Sequence, residues 1–377
     1  MTVPPASPPD RRGRLVAAVD CGTNSTRLLV AGADGDTLER LMRITRLGES
    51  VDRSGRLAPE AIRRTIEVLS EYREVLASSD VTDVMATATS AVRDASNSAD
   101  FLDEAAETIG TEVRVLTGHE EGLLSYRGAT AGLDPGEGPF LVVDVGGGST
   151  ELVTAAVAAV PASAAGASAV RGASAVGASA AGAAAAAVPA AAAVPGASAV
   201  PGDVVAVSFQ VGCVRLTERF LHDDPPTAEQ LASGHDFVAG LVTAAVAAHP
   251  ELGRPAEMVG LAGTVSALTM LNLGLETHDW NRVHHSRLTR EDIYRLVREL
   301  AAVPLNERRQ RAGLEPARAD VIIGGAVVLG AVMGSLGHEQ LLVSEADILD
   351  GMVGELLDRR AVGYSSNQTA FFAPGRL

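Results

Sequence analysis

The stretch Leu141-Val142-Val143-Asp144-Val145-Gly146-Gly147-Gly148-Ser149-Thr150-Glu151-Leu152-Val153 decides how this chain is read. An apolar run ending in an aspartate predicts a strand covered on both faces. Three glycines then permit a turn in which the backbone comes within hydrogen-bond distance of a ligand. Successive amides in such a turn form an anion-binding concavity, and the hydroxyls of Ser149 and Thr150 add donors. Asp144, at the strand's carboxyl end, is a hard oxygen ligand of the kind Mg²⁺ takes beside a phosphate. A plain hairpin with a surface carboxylate would give the same local pattern. A second copy, Val19-Asp20-Cys21-Gly22-Thr23-Asn24-Ser25, argues against that. Strand, Asp/Gly loop and strand, written twice, predict two similarly folded halves facing each other across a cleft.

The 377 residues are enough for two domains. Apolar residues make up 46% and aromatics only 3%, so the core has to be built from Val, Leu, Ile and Ala. A formal charge of −16 argues against a nucleic-acid or membrane partner, and a polyanionic ligand must be met locally. The chain contains no lysine, which excludes a Walker A lysine and Schiff-base chemistry. Arginine remains, and its planar fork holds phosphate oxygens bidentately. Cys21 and Cys213 make no disulfide framework and are expected as buried, inert thiols in a cytoplasmic protein. Residues 1–13 are Pro-rich without the apolar core of a signal peptide, and are expected as a disordered arm.

Working outward from the two loops, period and punctuation predict an α/β chain. Strands at 15–21, 26–31 and 37–46 form a meander. A helix follows Pro59, with Ile62, Ile66, Leu69 and Tyr72 on one face. The break Asp134-Pro135-Gly136-Glu137-Gly138-Pro139 divides domains at 14–135 and 136–360. Residues from about 155 to 202 are almost wholly Ala, Val, Gly, Ser and Pro, with Arg171 their one charge, and predict a flexible low-complexity insertion without a functional role. Further helices are expected near 227–248, 265 onward, 290–301, 318–334 and 348–359, with a disordered tail at 361–377.

Gly263 and Thr264 form a third phosphate-compatible loop where a strand enters a helix. No G-x-G-x-x-G opens a helix and no His/Cys set has zinc spacing, which argues against a dehydrogenase and a zinc site. Phosphoryl transfer to water needs neutralised charge, a metal bridge and a group that orients the nucleophile. The loops and Asp144 answer the first two needs. Glu120 and Glu121, at a helix start, are the candidates for the third, and the spacing leaves the choice between them open. Arg93, after a hydroxyl-rich loop, suits a phosphate clamp, with a surface salt bridge as the plainer alternative. Arg308-Arg309-x-Arg311 reads as a solvated face.

Taken in order, Asp20-x-Gly22-Thr23-Asn24-Ser25, Ala88-Thr89-Ser90-Ala91-Val92-Arg93-Asp94, Gly118-His119-Glu120-Glu121, Asp144 to Leu152, Gly212-Cys213-Val214-Arg215, Gly263-Thr264 and Arg318-Ala319-Asp320 resemble the exopolyphosphatase/guanosine pentaphosphate phosphohydrolase (Ppx/GppA) family. The resemblance implies an actin/sugar-kinase/Hsp70-like α/β fold, with ribonuclease H-like repeats around a central cleft. It implies Mg²⁺-dependent (or Mn²⁺-dependent) hydrolysis of the terminal phosphate of polyphosphate or pppGpp, with Glu121 as general base. Asp144 becomes the metal ligand and Glu151 its helper. Gly22, Thr23, Asn24 and Ser25 become the first phosphate loop, Gly146, Gly147, Gly148, Ser149 and Thr150 the second, and Arg93 a phosphate contact. Thr23 replaces the more usual serine. The chain stops at Leu377, so the extra C-terminal helical domains of long-form members are not expected. The Cys-Gly-Thr-Asn-Ser form looks like an actinobacterial branch, for which a weakly catalytic alarmone-binding regulator is an alternative. Family members are often dimers, so a homodimer is possible.

Overall fold

The computed structural model describes residues 15–155, 204–255 and 257–361; the expected arm and insertion, and the tail beyond 361, lie outside them. The first sheet holds β1 (Leu15–Cys21), β2 (Ser25–Ala31), β3 (Thr37–Ile44), β4 (Val81–Ala88) and β5 (Val113–Val115), in the order β3-β2-β1-β4-β5. β1, β2 and β3 form an antiparallel meander, and β4 and β5 join in parallel. The second sheet holds β6 (Phe140–Val145), β7 (Thr150–Ala155), β8 (Val204–Phe209), β9 (Glu257–Leu261), β10 (Arg287–Thr289) and β11 (Gln340–Val343). From β8 its order is β8-β7-β6-β9-β11-β10, with β10 antiparallel at the edge. Its first five strands repeat the order and directions of the first sheet. Two ribonuclease H-like sheets related in this way are the actin/sugar-kinase/Hsp70-like architecture. β10 went unread because three residues carry no measurable period.

Strand alternation assigns the faces. On β1, Ala17, Val19 and Cys21 pack outward against the helices Pro59–Ser78 and Ser98–Ile109, while Val16 and Ala18 face inward. On β6, Leu141, Val143 and Val145 pack against the helix Ile322–Leu336, while Val142 faces inward. Asp20 shares the inward face of β1 and Asp144 that of β6, so both aspartates point toward the space between the sheets.

Two helices fill that space, and each crosses to the other half. The helix Gly118–Thr130 packs on β6, β7 and β8 of the second sheet. The helix Ile348–Ala361, last in the described chain, returns to β1, β2 and β4 of the first. They cross in close backbone contact: a Cβ on Gly128 would strike the Asp347 carbonyl, and one on Gly351 the Leu124 carbonyl. Leu124, Ile348, Leu349, Met352 and Val353 join the first sheet's inner face in one cluster. Leu123, Tyr126 and Ala129 join that of the second.

The helix expected from Arg318 begins instead at Ile322, because Pro316–Arg318 forms a 3₁₀ turn of its own. Arg308 is also not solvated. It is 4% exposed, donates to the carbonyls of Ala319 and Val303, and pairs with Asp224 at 2.8 Å.

Candidate active site

Both Asp/Gly turns close with the same bond. Gly22 N donates to Ser25 O at 3.0 Å, and Gly146 N to Ser149 O at 3.1 Å. The two turns meet across the cleft, where a Cβ on Gly147 would lie 3.1 Å from the Asn24 backbone nitrogen. The helix Cys213–Phe220 steadies the second turn from behind, with Cys213 N donating to Gly146 O and Val214 N to Gly147 O, both at 2.9 Å. These turns, with Asp20, Arg27, Glu121, Asp144, Gly263, Thr264 and Arg318, line a small cavity of about 60 Å³. Strand carboxyl ends meet there, where ligands of open α/β sheets ordinarily bind.

The helix start distinguishes the two glutamates. Thr117 and Glu120 make a capping box, in which Thr117 Oγ1 accepts from Glu120 N at 3.2 Å and Glu120 Oε2 accepts from Thr117 N at 2.9 Å. Glu120 also pairs with Arg114. Glu121 points the other way, into the cleft. Its Oε2 accepts from Arg93 Nη1 at 3.3 Å, and the same nitrogen donates to Leu116 O at 2.7 Å. Burial, then the charge of Asp144, pushes the Glu121 carboxyl up to about 8 despite Arg93.

Asp144 and Glu151 are cross-strand partners on β6 and β7, and so share one face. Ser125, one turn along the helix from Glu121, donates to Asp144 Oδ2 at 2.7 Å. Ser208 donates to Glu151 Oε1 at 2.8 Å. Burial raises the Asp144 carboxyl to about 6. Burial, then the charges of Glu121 and Asp144, holds that of Glu151 well above its ordinary range. Asp20, raised by burial, is bridged by Arg27 at 2.6 Å, and Arg27 reaches Asp347 at 2.5 Å. Four carboxylates in a buried cleft are mutually repulsive, and a bound cation would relieve them.

Of the residues singled out from sequence, Gly22, Thr23, Asn24, Ser25, Glu121, Asp144, Gly146, Gly147, Gly148, Ser149, Gly263 and Thr264 line the cavity. Thr150 does not, because its fully buried hydroxyl donates to Val211 O at 2.6 Å and ties β7 to the segment after β8. Glu151 and Arg93 are not in the lining, but Glu151 pairs across the strands with Asp144 and Arg93 donates to Glu121, both of which are. Sequence reading passed over Asp20 as a site residue, although it is the counterpart of Asp144. It also passed over Arg27 and Arg318. Arg318 lies so close over Gly263 that any Cβ there would collide with its guanidinium. At that same loop Ala262 has φ +73°, a left-handed conformation that costs a non-glycine residue about 1–3 kcal/mol.

A larger cavity of about 370 Å³ continues from the small one, sharing Ser25, Arg27, Ala262, Gly263 and Arg318. It runs to His278, Trp280 and Glu345, with the Arg40 guanidinium 5.5 Å from the Trp280 ring centre.

Fold and cleft define a two-lobed actin-like protein whose paired glycine turns face each other across a small cavity. A sequence model of the Ppx/GppA phosphatase family matches residues 30–166 and 201–360, and the chain belongs to that family. It is 37% identical over 355 residues to Exopolyphosphatase 2 of Mycobacterium tuberculosis, covering 89% of this chain and 97% of the relative. It is 27% identical to the guanosine-5'-triphosphate,3'-diphosphate pyrophosphatase of Photobacterium profundum, covering 92% of this chain and 60% of that one. Among solved structures, an exopolyphosphatase-like protein superposes with a TM-score of 0.74 at 32% identity, covering 92% of this chain and 99% of the other. A family member from Aquifex aeolicus superposes with a TM-score of 0.67 at 29% identity, covering 92% and 98%.

Proposed function

We propose that this chain is a divalent-metal-dependent phosphohydrolase that removes the terminal phosphoryl group of inorganic polyphosphate. The observation that carries it is Glu121, a buried carboxylate at about 8 facing Asp144 between two glycine turns. A general base works best with its pKa near the working pH. The turns and the hydroxyls of Ser25 and Ser149 take the charge of the phosphoryl oxygens. Glu121 accepts a proton from the water whose oxygen bonds to phosphorus, while the bridging P–O bond breaks and the shortened chain leaves. Arg93 orients Glu121, and Ser125 and Ser208 hold Asp144 and Glu151 in place.

The donor set suits Mg²⁺ or Mn²⁺, and Asp144, with Glu151 behind it, would hold the ion. Among the described residues no three His, Cys, Asp or Glu close on one point. Mg²⁺ ordinarily takes one or two carboxylates plus phosphate oxygens and water. When bound, it supplies charge neutralisation on the phosphate. The test is phosphate release from short and long polyphosphate with Mg²⁺ or Mn²⁺; no release from any length sinks the reading.

The larger cavity favours a second substrate class, pppGpp. Trp280 and Met270 offer an apolar surface for a base, and the Arg27 and Arg318 side chains lie between that surface and the turns. Trp280 is the chain's one tryptophan, so its fluorescence reports this cavity alone. Quenching by pppGpp but not by polyphosphate supports the nucleotide; no quenching by either removes it.

A further inference from the structure

The wall behind Gly148 carries polar groups that the fold leaves without partners. Ser90, directly after β4, is 1% exposed, and its Oγ makes no hydrogen bond. Thr23 Oγ1, 6% exposed as a residue, is in the same condition. Both lie against one glycine: a Cβ on Gly148 would sit 2.6 Å from Ser90 Oγ and 2.7 Å from Thr23 Oγ1. Arg93, three residues beyond Ser90 and on the same side of its short helix, has a buried Nη2 without a partner, and so has the side-chain nitrogen of Asn24.

Buried donors without partners are few in native proteins, and each calls for an explanation. Elsewhere in this molecule buried hydroxyls find protein acceptors with ease: Ser125 on Asp144, Thr150 on Val211, Thr65 on Ala61 and Thr269 on Val265. Among the described residues Arg40 Nε and Asp320 Oδ1 are orphans away from the turns, but Thr23 Oγ1, Asn24 Nδ2, Ser90 Oγ and Arg93 Nη2 gather on or beside them. Gly148 is the position at which any side chain would fill the space their hydroxyls address.

We propose that Ser90 is a phosphate-binding residue. Its hydroxyl, with Thr23 Oγ1 and Arg93 Nη2, donates to the oxygens of a phosphoryl group lodged against Gly148. The assignment rests on the phosphohydrolase reading of the cleft and adds a neutral donor from the short helix Ser90–Asp94 of the first half, opposite the second turn.

Ser90→Ala and Ser90→Cys, made in the full chain, test it through inorganic phosphate rather than turnover. An orphan hydroxyl contributes no bond to the native state, so Ser90→Ala unfolds at the wild-type temperature or above when no anion is present. Its affinity for inorganic phosphate, by calorimetry, falls about tenfold, the scale of one hydrogen bond to a charged group. Ser90→Cys, a weaker donor of similar shape, falls between. A lower unfolding temperature with unchanged phosphate affinity makes the hydroxyl structural and overturns the proposal. So does unchanged affinity in both variants, or a wild type that phosphate neither binds nor stabilises. Ser90-dependent phosphate binding without hydrolysis of polyphosphate or pppGpp would overturn the enzymatic reading and leave the phosphate site standing.

Discussion

Arg93 holds Glu121 by the same nitrogen that holds the Leu116 carbonyl, so the carboxylate is fixed to the end of β5 rather than free to swing. Burial and Asp144 raise the Glu121 carboxyl to about 8, and Arg93 is what lowers it. Removing that cation in Arg93→Ala moves the acid limb of the kcat/KM profile to higher pH. A midpoint that stays put or falls would mean that Arg93 does not set this ionisation.

The same shift has a sign in stability. Glu121 binds its proton more tightly folded than unfolded, where its ordinary value is near 4.5. Its contribution is complete below 4.5 and is lost as pH rises through about 8. In the metal-free protein, thermal stability falls across that window, and Glu121→Gln flattens the fall. A metal-free wild type as stable at pH 9 as at pH 5 contradicts this.

Glu120 and Glu121 part company under mutation. Glu121→Ala lowers turnover by on the order of 10²–10⁴ with little change in folding, as for a lost general base. Glu120→Ala removes half of a capping box, costs about 1 kcal/mol of stability, and leaves turnover close to wild type. Steady-state kinetics paired with denaturant unfolding separates them, and the reverse pattern would move the base to Glu120.

Gly128→Ala places a methyl group where the Asp347 carbonyl stands. Overpacking of this kind costs about 1–3 kcal/mol. It also pushes the two crossing helices apart, and with them Glu121 from Asp347 and Arg27. Chemical denaturation should register the loss, and activity should fall with it.

β7 and β8 pair from Thr150↔Phe209 to Ala155↔Val204. The cleft lies at the first of these ends and the alanine-rich insertion leaves from the second. Replacing residues 156–202 with a short turn should therefore preserve both unfolding temperature and phosphate release. A folded deletion that releases no phosphate would give the insertion a role in the reaction.

The repeat of Asp20 and Asp144, each before a glycine turn, made the two sheets and their shared cleft legible, because strand and turn are local matters. The spacing left Glu120 and Glu121 undecided, although Thr117-x-x-Glu120 spells a capping box, a local signal that assigns Glu120 to the helix start and leaves Glu121 as the inward glutamate. Arg27 and Asp347 were not, because they meet across 320 positions of sequence and nothing near either one announces the other. Thr150 misled because a hydroxyl after a glycine turn looks the same whether it serves a ligand or a neighbouring carbonyl. Arg308 misled because its partners, Asp224 and Ala319, lie outside the arginine run in which it was read.

The exchange of helices between the two halves bears on how the molecule is born. Val16, Ala18 and Leu29 of the first sheet find their inner covering in Ile348, Leu349 and Met352. The first half therefore leaves the ribosome with that face covered only in part, by Leu116 and Leu124, and completes it only after the far end of the second has emerged. Contacts of such long sequence separation form slowly, and until they form the exposed face is a site for aggregation. Synthesis of this chain is thus expected to depend on chaperone protection of its N-terminal half, a need that ends when the helix Ile348–Ala361 docks.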